Sequence, residues 1–390
     1  MFPALNLVLG AFAILSLLLL LWQWFAARRF PLHQQTAAPA RSPTISLLKP
    51  LKGAGDSLED CLRSWLRQDY PGAVQILLGV DSPDDPGIAV VERIRRDFPE
   101  RDLALVICRD LRGPNFKVSK LMQLQAQATG EVLVVSDADV HAPPTLLNGL
   151  VASLEGERVG MACCFYRLAN PVNLATQWEA VVINADSWSQ VLQSTTLMAA
   201  DFALGAVMAI PRRHLATMDG FASLENYLAD DYQLGNRLAR RGLEIRFCPL
   251  VVECRSEPMT WSRAWQHQLR WARTIRVCQP VPYFLSILSN ATLWPLAWAI
   301  STAAPGTMAF LAAAVVSRAV VAMDLERRLT GILPSWNRLW LAPLKDLLQF
   351  GLWLGAFLGN RIEWRGATMR LRRDGTLEKM ENRSPAPDIS

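Results

Sequence analysis

Residues 4–25, ALNLVLGAFAILSLLLLLWQWF, carry no charged side chain, and that run constrains the fold before anything else does. A helix of about 20 apolar residues spans the hydrocarbon of a bilayer. A cleaved signal peptide would have a shorter apolar core with positive charge ahead of it. Here Arg28 and Arg29 follow the run instead. The pattern predicts an uncleaved anchor over 1–30 whose far end lies in the cytoplasm.

From about residue 281 the chain turns apolar again in three blocks, 283–303, 307–323 and 339–359, interrupted by Arg318, Lys345 and Asp346. Arg327, Arg328 and Arg338 flank the blocks, and a tail over 361–390 carries Arg361, Arg365, Arg370, Arg372 and Arg373. Such residues favour the cytoplasmic side. Three full crossings would put the tail outside. One block within 281–360 is therefore expected to be re-entrant or interfacial, in first place the one holding Lys345 and Asp346.

The intervening segment has ordinary soluble composition. After a Pro/Ala/Ser linker within 31–44, short apolar runs begin at residues 45, 74, 103 and 131: ISLLKP, VQILLGV, LALVIC and EVLVVS. Stretches of helical length, 57–69, 86–98 and 117–129, lie between them. Near-continuous apolar strands alternating with helices predict βαβ units around a parallel sheet, here within 45–258. Ligands bind such sheets at the carboxyl ends of the strands. Asp81 and Asp137 each follow a predicted strand, so both fall at that edge.

The chemistry-bearing residues cluster in five stretches. Asp137 and Asp139 form a D-x-D, and side chains at i and i+2 of an extended segment point the same way. Two such carboxylates suit Mg²⁺ or Mn²⁺, although an Asp-rich turn is the plainer alternative. Asp81 can accept hydrogen bonds from a nucleobase or ribose, while Asp84 and Asp85 read as helix-capping acids. Asn115 and Lys117 open a helix where an anionic ligand could bind, surface lysine being the bland alternative. Asp230 and Asp231 stand just ahead of an amphipathic helix. N-capping explains one of them, and the other invites a role as proton acceptor. On a helix over 259–276, Trp261, Trp265 and Leu269 form one stripe, opposite Arg263, His267 and Arg270. That pattern predicts an interfacial helix over 259–280 or, equally, a core helix with a basic face able to hold phosphate.

Seven scattered cysteines without a C-x-x-C fit a reducing compartment rather than a disulfide framework or a zinc site. Four histidines speak against a His-rich metal centre. A formal charge of +5 matches an anionic membrane surface better than nucleic acid, for which no recognition motif is present.

Together SLLKPLKG, DDP, GPNFKVSKL, SDADV, ADDY and QLRW, with the ending EWRGATMRLRRDG, resemble the membrane-bound inverting glycosyltransferases of GT-A fold. Within them the chain is most similar to ceramide glucosyltransferases and the related bacterial hopanoid-biosynthesis enzymes. The resemblance implies an α/β, Rossmann-like catalytic domain with an N-terminal transmembrane anchor and C-terminal membrane helices, on the cytoplasmic face of a bacterial inner membrane. It implies transfer of one sugar, N-acetylglucosamine or glucose, from a UDP-sugar to the hydroxyl of a membrane lipid, a hopanoid first and a ceramide as the alternative. It gives Asp81 to the uridine, Asp137 and Asp139 to diphosphate through Mg²⁺ or Mn²⁺, and Lys117 to the nucleotide sugar. Asp231 becomes the catalytic base, and Arg270 and Trp271 lie near diphosphate and acceptor. His267 stands where the family has Gln or Arg, so no nucleotide contact carries over to it. Two readings compete: a processive polysaccharide synthase, which would need more C-terminal helices, and a non-enzymatic membrane scaffold whose acids are turns and caps.

Overall fold

The computed structural model describes residues 3–34, 39–364 and 367–380. Residues 35–38 of the expected linker, Arg365 and residues 381–390 of the tail lie outside the described residues.

The four apolar runs form β1 (Ile45–Pro50), β2 (Val74–Val80), β3 (Asp102–Ile107) and β4 (Val132–Ser136). Helices Leu58–Leu66, Gly87–Asp97 and Phe116–Gln127 connect them. The strands pair in parallel in the order β3-β2-β1-β4. Every residue of β1 and β4 is buried, because helices cover both faces, and this is why their sequences do not alternate. The register aligns Pro50 with Gly79 and Leu48 with Val135, so the carboxyl ends of the strands share one edge.

Four more strands complete an eight-stranded sheet: β5 (Val140–His141), β6 (Val159–Leu168), β7 (Val207–Pro211) and β8 (Glu244–Cys254). β7 runs antiparallel to β4 and to β6, β6 parallels β8, and β5 closes antiparallel on β8. Three last strands, β9 (Arg361–Trp364), β10 (Ala367–Leu371) and β11 (Leu377–Lys379), form a separate antiparallel meander.

Helices Ala4–Arg29 and Pro305–Thr330 are each long and apolar enough to cross a membrane, and Pro280–Ser289 with Leu293–Thr302 form an apolar pair bent by 51°. The last apolar block is a helix of 17 residues, Leu341–Phe357. Between β6 and β7 the chain makes one continuous helical path: Leu174–Val181, a π-helical turn Val182–Ser187, then Trp188–Thr195. Nothing in the sequence marked this path as belonging with the membrane segments. Yet Ala185, Trp188 and Leu192 share a core with Leu20, Ala27, Val321 and Leu325, and Gln23 Nε2 donates to Ser189 Oγ at 2.7 Å.

The charges that interrupt the apolar blocks all meet here. Arg318 reaches Asp346 at 2.9 Å and Asp186, from the π-turn, at 2.8 Å. Lys345 lies 2.6 Å from Asp186 and 3.2 Å from Asp346, and Thr292 Oγ1 donates to Asp346 Oδ2 at 2.8 Å. All four ionic side chains are buried. Two positive and two negative charges balance, so the cluster avoids the cost of an unpaired buried ion. The tryptophan stripe of helix Trp261–Cys278 is likewise covered. Trp261 and Trp265 pack on Trp178, and Trp265 and Leu269 lie over Gly351 and Gly355 of Leu341–Phe357, although Trp261 keeps 43% exposure.

Replacing Arg318 by Ala leaves two carboxylates to one ammonium in a buried site. The expected cost is about 3–5 kcal/mol, read as a fall in the thermal midpoint of the detergent-purified protein. An unchanged midpoint would show that the cluster does not tie the helices together.

Candidate active site

The common edge of the parallel strands gathers the acids. Asp137, just past β4, has Oδ1 2.8 Å from Lys117 Nζ, and the same ammonium lies 3.4 Å from Asp230 Oδ2. Asn115 sets this geometry. Its side chain caps helix Phe116–Gln127 by accepting from the N–H groups of Lys117 and Val118, while its Nδ2 donates to the Tyr227 carbonyl at 2.8 Å. One residue thus aims Lys117 and anchors the stretch leading into Asp230. Lys117 is buried rather than a surface lysine. Burial works to lower its pKa, but the charges of Asp137 and then Asp230 outweigh that and hold it above the ordinary lysine value.

Asp139 is half-buried, and burial followed by the Asp137 charge raises its pKa. Beneath the pair, Lys49 is fully buried with Nζ donating to Ser136 Oγ at 3.0 Å and to the Asp137 carbonyl at 2.7 Å, 4.9 Å from the Trp65 ring centroid. Burial pushes the Lys49 pKa down to about 8. Among the described residues no three His, Cys, Asp or Glu side chains gather to hold a metal by themselves. The donors fit a cation that takes two carboxylates from the protein and completes its shell with diphosphate oxygens and water, as Mg²⁺ or Mn²⁺ does.

Helix Asp230–Ala239 begins at Asp230 after Ala229, so neither acid is the N-cap that one was expected to be. Asp231 Oδ1 accepts the Tyr232 N–H at 2.8 Å. Its Oδ2 lies against Gly205, where a Cβ would come within 2.7 Å of it. Burial first, and the Asp230 charge second, push the Asp231 pKa up to about 6, against the pull of Lys117 and the Tyr232 N–H. The carboxylate is therefore a far better proton acceptor than a solvated Asp.

Asp81 sits at the end of β2 with its carboxylate 3.4 Å from Lys120. Its neighbour Asp85 is spent on structure, accepting from the N–H groups of Gly53 and Gly87. Asp84 is exposed.

On the helix Trp261–Cys278, His267 Nδ1 is 2.6 Å from Glu179 Oε1, and Gln268 Nε2 donates to the same oxygen at 2.9 Å. The His267 and Trp271 rings lie 4.8 Å apart, and Trp271 packs with Tyr166 against Leu168, Ala180 and Ile183. Arg270 is half-buried on the same helix. Glu179, Tyr166 and Gly205 were not legible as site residues. Only Lys49 had a signal, as the one charge in an otherwise buried strand.

Residues 8–377 match the family described as Glycosyl transferase family 21. Among curated proteins, the chain is 29% identical over 149 residues to a ceramide glucosyltransferase of Gibberella zeae, covering 36% of this chain and 28% of the relative. It is 25% identical over 247 residues to a beta-monoglucosyldiacylglycerol synthase of Trichormus variabilis, covering 62% and 51%. The chain thus spans only about a quarter to a half of these relatives. Among solved structures it superposes on the mannosyltransferase PcManGT of Pyrobaculum calidifontis, in complex with GDP-Man and Mn²⁺, with TM-score 0.54 and 22% identity over 92% of this chain and 98% of that one. That likeness is one of fold, the GT-A fold expected from the sequence. The family match extends from the N-terminal apolar helix to the last strand of the meander, and the chain belongs to Glycosyl transferase family 21.

Proposed function

We propose that this glycosyltransferase moves one hexose, glucose or N-acetylglucosamine, from a UDP-sugar to a hydroxyl of a membrane lipid, with inversion at the anomeric carbon. The observation that carries the reading is a buried carboxylate of raised pKa, Asp231, one residue from the Asp230–Lys117–Asp137 chain of ion pairs. Asp231 accepts the proton of the lipid hydroxyl while its oxygen forms the bond to the anomeric carbon. The bond from that carbon to the diphosphate breaks, and its electron pair leaves with UDP. Lys117 and Arg270 stabilise the charge that builds on the leaving group, and Asp81 orients the uridine. A Mg²⁺ or Mn²⁺ held by Asp137 and Asp139 would supply Lewis-acid stabilisation of the diphosphate. One base without a second carboxylate as nucleophile gives a β-linked product from an α-linked donor.

The names of the curated relatives support a lipid acceptor. Between lipids we favour a hopanoid over a ceramide, on the QHQLRWART stretch and the compact basic tail. We further propose a bacterial inner-membrane enzyme with its catalytic domain in the cytoplasm. Arg328 Nη2 donates to the Arg28 carbonyl, so both long apolar helices end together in basic residues, as cytoplasmic ends do. In that topology Ala4–Arg29, the bent pair and Pro305–Thr330 cross, and Leu341–Phe357 lies along the interface.

Asp231→Asn should lower transfer by about 10²–10⁴-fold while UDP-sugar binding persists, in an assay of purified protein with UDP-sugars and lipid extracts read by product mass. Near-normal transfer would remove the base assignment. Because its pKa is raised, Asp231 is protonated and inactive as a base below about pH 6. The kcat/KM profile should therefore fall about tenfold per pH unit on its acid side, with a limb near 6 that Asp231→Asn lacks. Chelation should abolish transfer and added Mn²⁺ or Mg²⁺ restore it. Transfer unaffected by chelator would exclude the cation role of Asp137 and Asp139.

A further inference from the structure

We propose that the groove between the C-terminal meander and the ends of helices Trp261–Cys278 and Leu341–Phe357 binds the phosphate of an anionic phospholipid. The cavity measures about 560 Å³, and Arg276, Arg361, Arg370 and Arg373 line it with no carboxylate among the described lining residues. Arg361 and Arg370 are direct cross-strand partners in β9 and β10. Like charges in that position are destabilising, and an anion between them relieves the cost. Arg276 Nη2 is fixed by Asn360 Oδ1, and its guanidinium lies 5.7 Å from the Phe357 ring centroid, yet its buried Nε has no hydrogen-bond partner. On its other side Arg370 faces Glu378 of β11, whose carboxylate pairs with Arg372 at 2.9 Å, so one acid stands against this group of guanidinium side chains.

The other wall identifies the source of the phosphate. Leu358 is 86% exposed and Phe357 42%, at the end of an apolar helix. An apolar lip beside a guanidinium cluster suits an acyl chain beside a charged headgroup, and guanidinium forks match phosphate oxygens.

The lining residues include none of the acids at the sheet edge, so this is a second site. The meander nonetheless touches the catalytic stretch. The Leu377 N–H donates to the Asn226 carbonyl at 2.7 Å, Tyr227 bridges Thr376, and Leu228 packs against Ile362, Met369 and Leu371. Lipid held by the meander therefore steadies the approach to Asp231, a link that rests on the proposed role of that residue.

Binding can be read apart from catalysis. Native mass spectrometry of the full chain would follow retention of phosphatidylglycerol, phosphatidylcholine and inorganic phosphate. The combined variant Arg361→Gln, Arg370→Gln, Arg373→Gln should lose phosphatidylglycerol by about fivefold per guanidinium and keep the parent's weak phosphatidylcholine retention. Equal phosphatidylglycerol retention by parent and variant overturns the site. Inorganic phosphate competing away the lipid at equal concentration overturns the lipid source. The three side chains are exposed and two of them repel across the strands, so the variant's thermal midpoint should match or exceed the parent's; if it falls, Arg373→Gln alone carries the same comparison. In phosphatidylcholine nanodiscs, adding phosphatidylglycerol should raise transfer by the parent and not by the variant. An equal rise in both overturns the link to Asp231, while lipid retention still decides the site.

Discussion

One buried ammonium holds the acidic edge together. Lys117 pairs with Asp137 from the end of β4 and with Asp230 from the start of helix Asp230–Ala239, two stretches with most of the second half-sheet between them. Without it, Asp137, Asp139, Asp230 and Asp231 would crowd negative charge where burial already penalises it. With it, the net charge is lowered but not cancelled, and Asp139 and Asp231 still titrate above their ordinary range. In the proposed mechanism that residual negative charge would draw a cation, while burial first and the Asp230 charge second raise the basicity of Asp231.

A second ionic cluster does for the membrane-side helices what Lys117 does for the site. Asp186, Arg318, Lys345 and Asp346 come from three separate parts of the chain, and each is buried. Desolvating them is costly, so the cluster contributes little net stability against apolar substitutes. What it supplies is geometric: this alignment of the helices brings all four charges within 3.2 Å of an opposite charge.

The first half of the fold could be read from the chain because β1 to β4 are buried on both faces, which makes each strand an apolar run bounded by turns. The acids at their ends were legible for the same reason, since parallel strands deliver their carboxyl ends to one edge. The second half was not. β8 alternates buried and less buried positions, and β5 has two residues, so neither makes an apolar run. Pairings across long sequence separation were equally hidden. Glu179 meets His267 over 88 residues, and nothing local to either marks the other. Arg318, Lys345 and Asp346 stood out as charges among apolar residues, but their partner Asp186 sits in a stretch of mixed composition that gives no hint of contact with the apolar helices.

That stretch connects the helix of His267 with the second ionic cluster. Glu179, in the first part of the path Leu174–Thr195, faces His267 and Gln268 at the candidate site. Ser189 and Gln193, in the last part, face the N-terminal helix through Gln23 and the Leu19 carbonyl. The π-turn Val182–Ser187 lies between them and holds Asp186. A π-turn accommodates one more residue than an α-helical turn. At 3.6 residues per turn, one residue rotates everything beyond it by about 100°. The wide turn therefore sets the angle between the face that serves the site and the face that serves the membrane helices. An uninterrupted α-helix could satisfy Glu179 or Ser189 and Gln193, but the rotation would carry the other set away from its partners. The Asp186 ion pairs tie that turn to helices Pro305–Thr330 and Leu341–Phe357, so one continuous helical path carries these contacts together with that of Glu179 to His267.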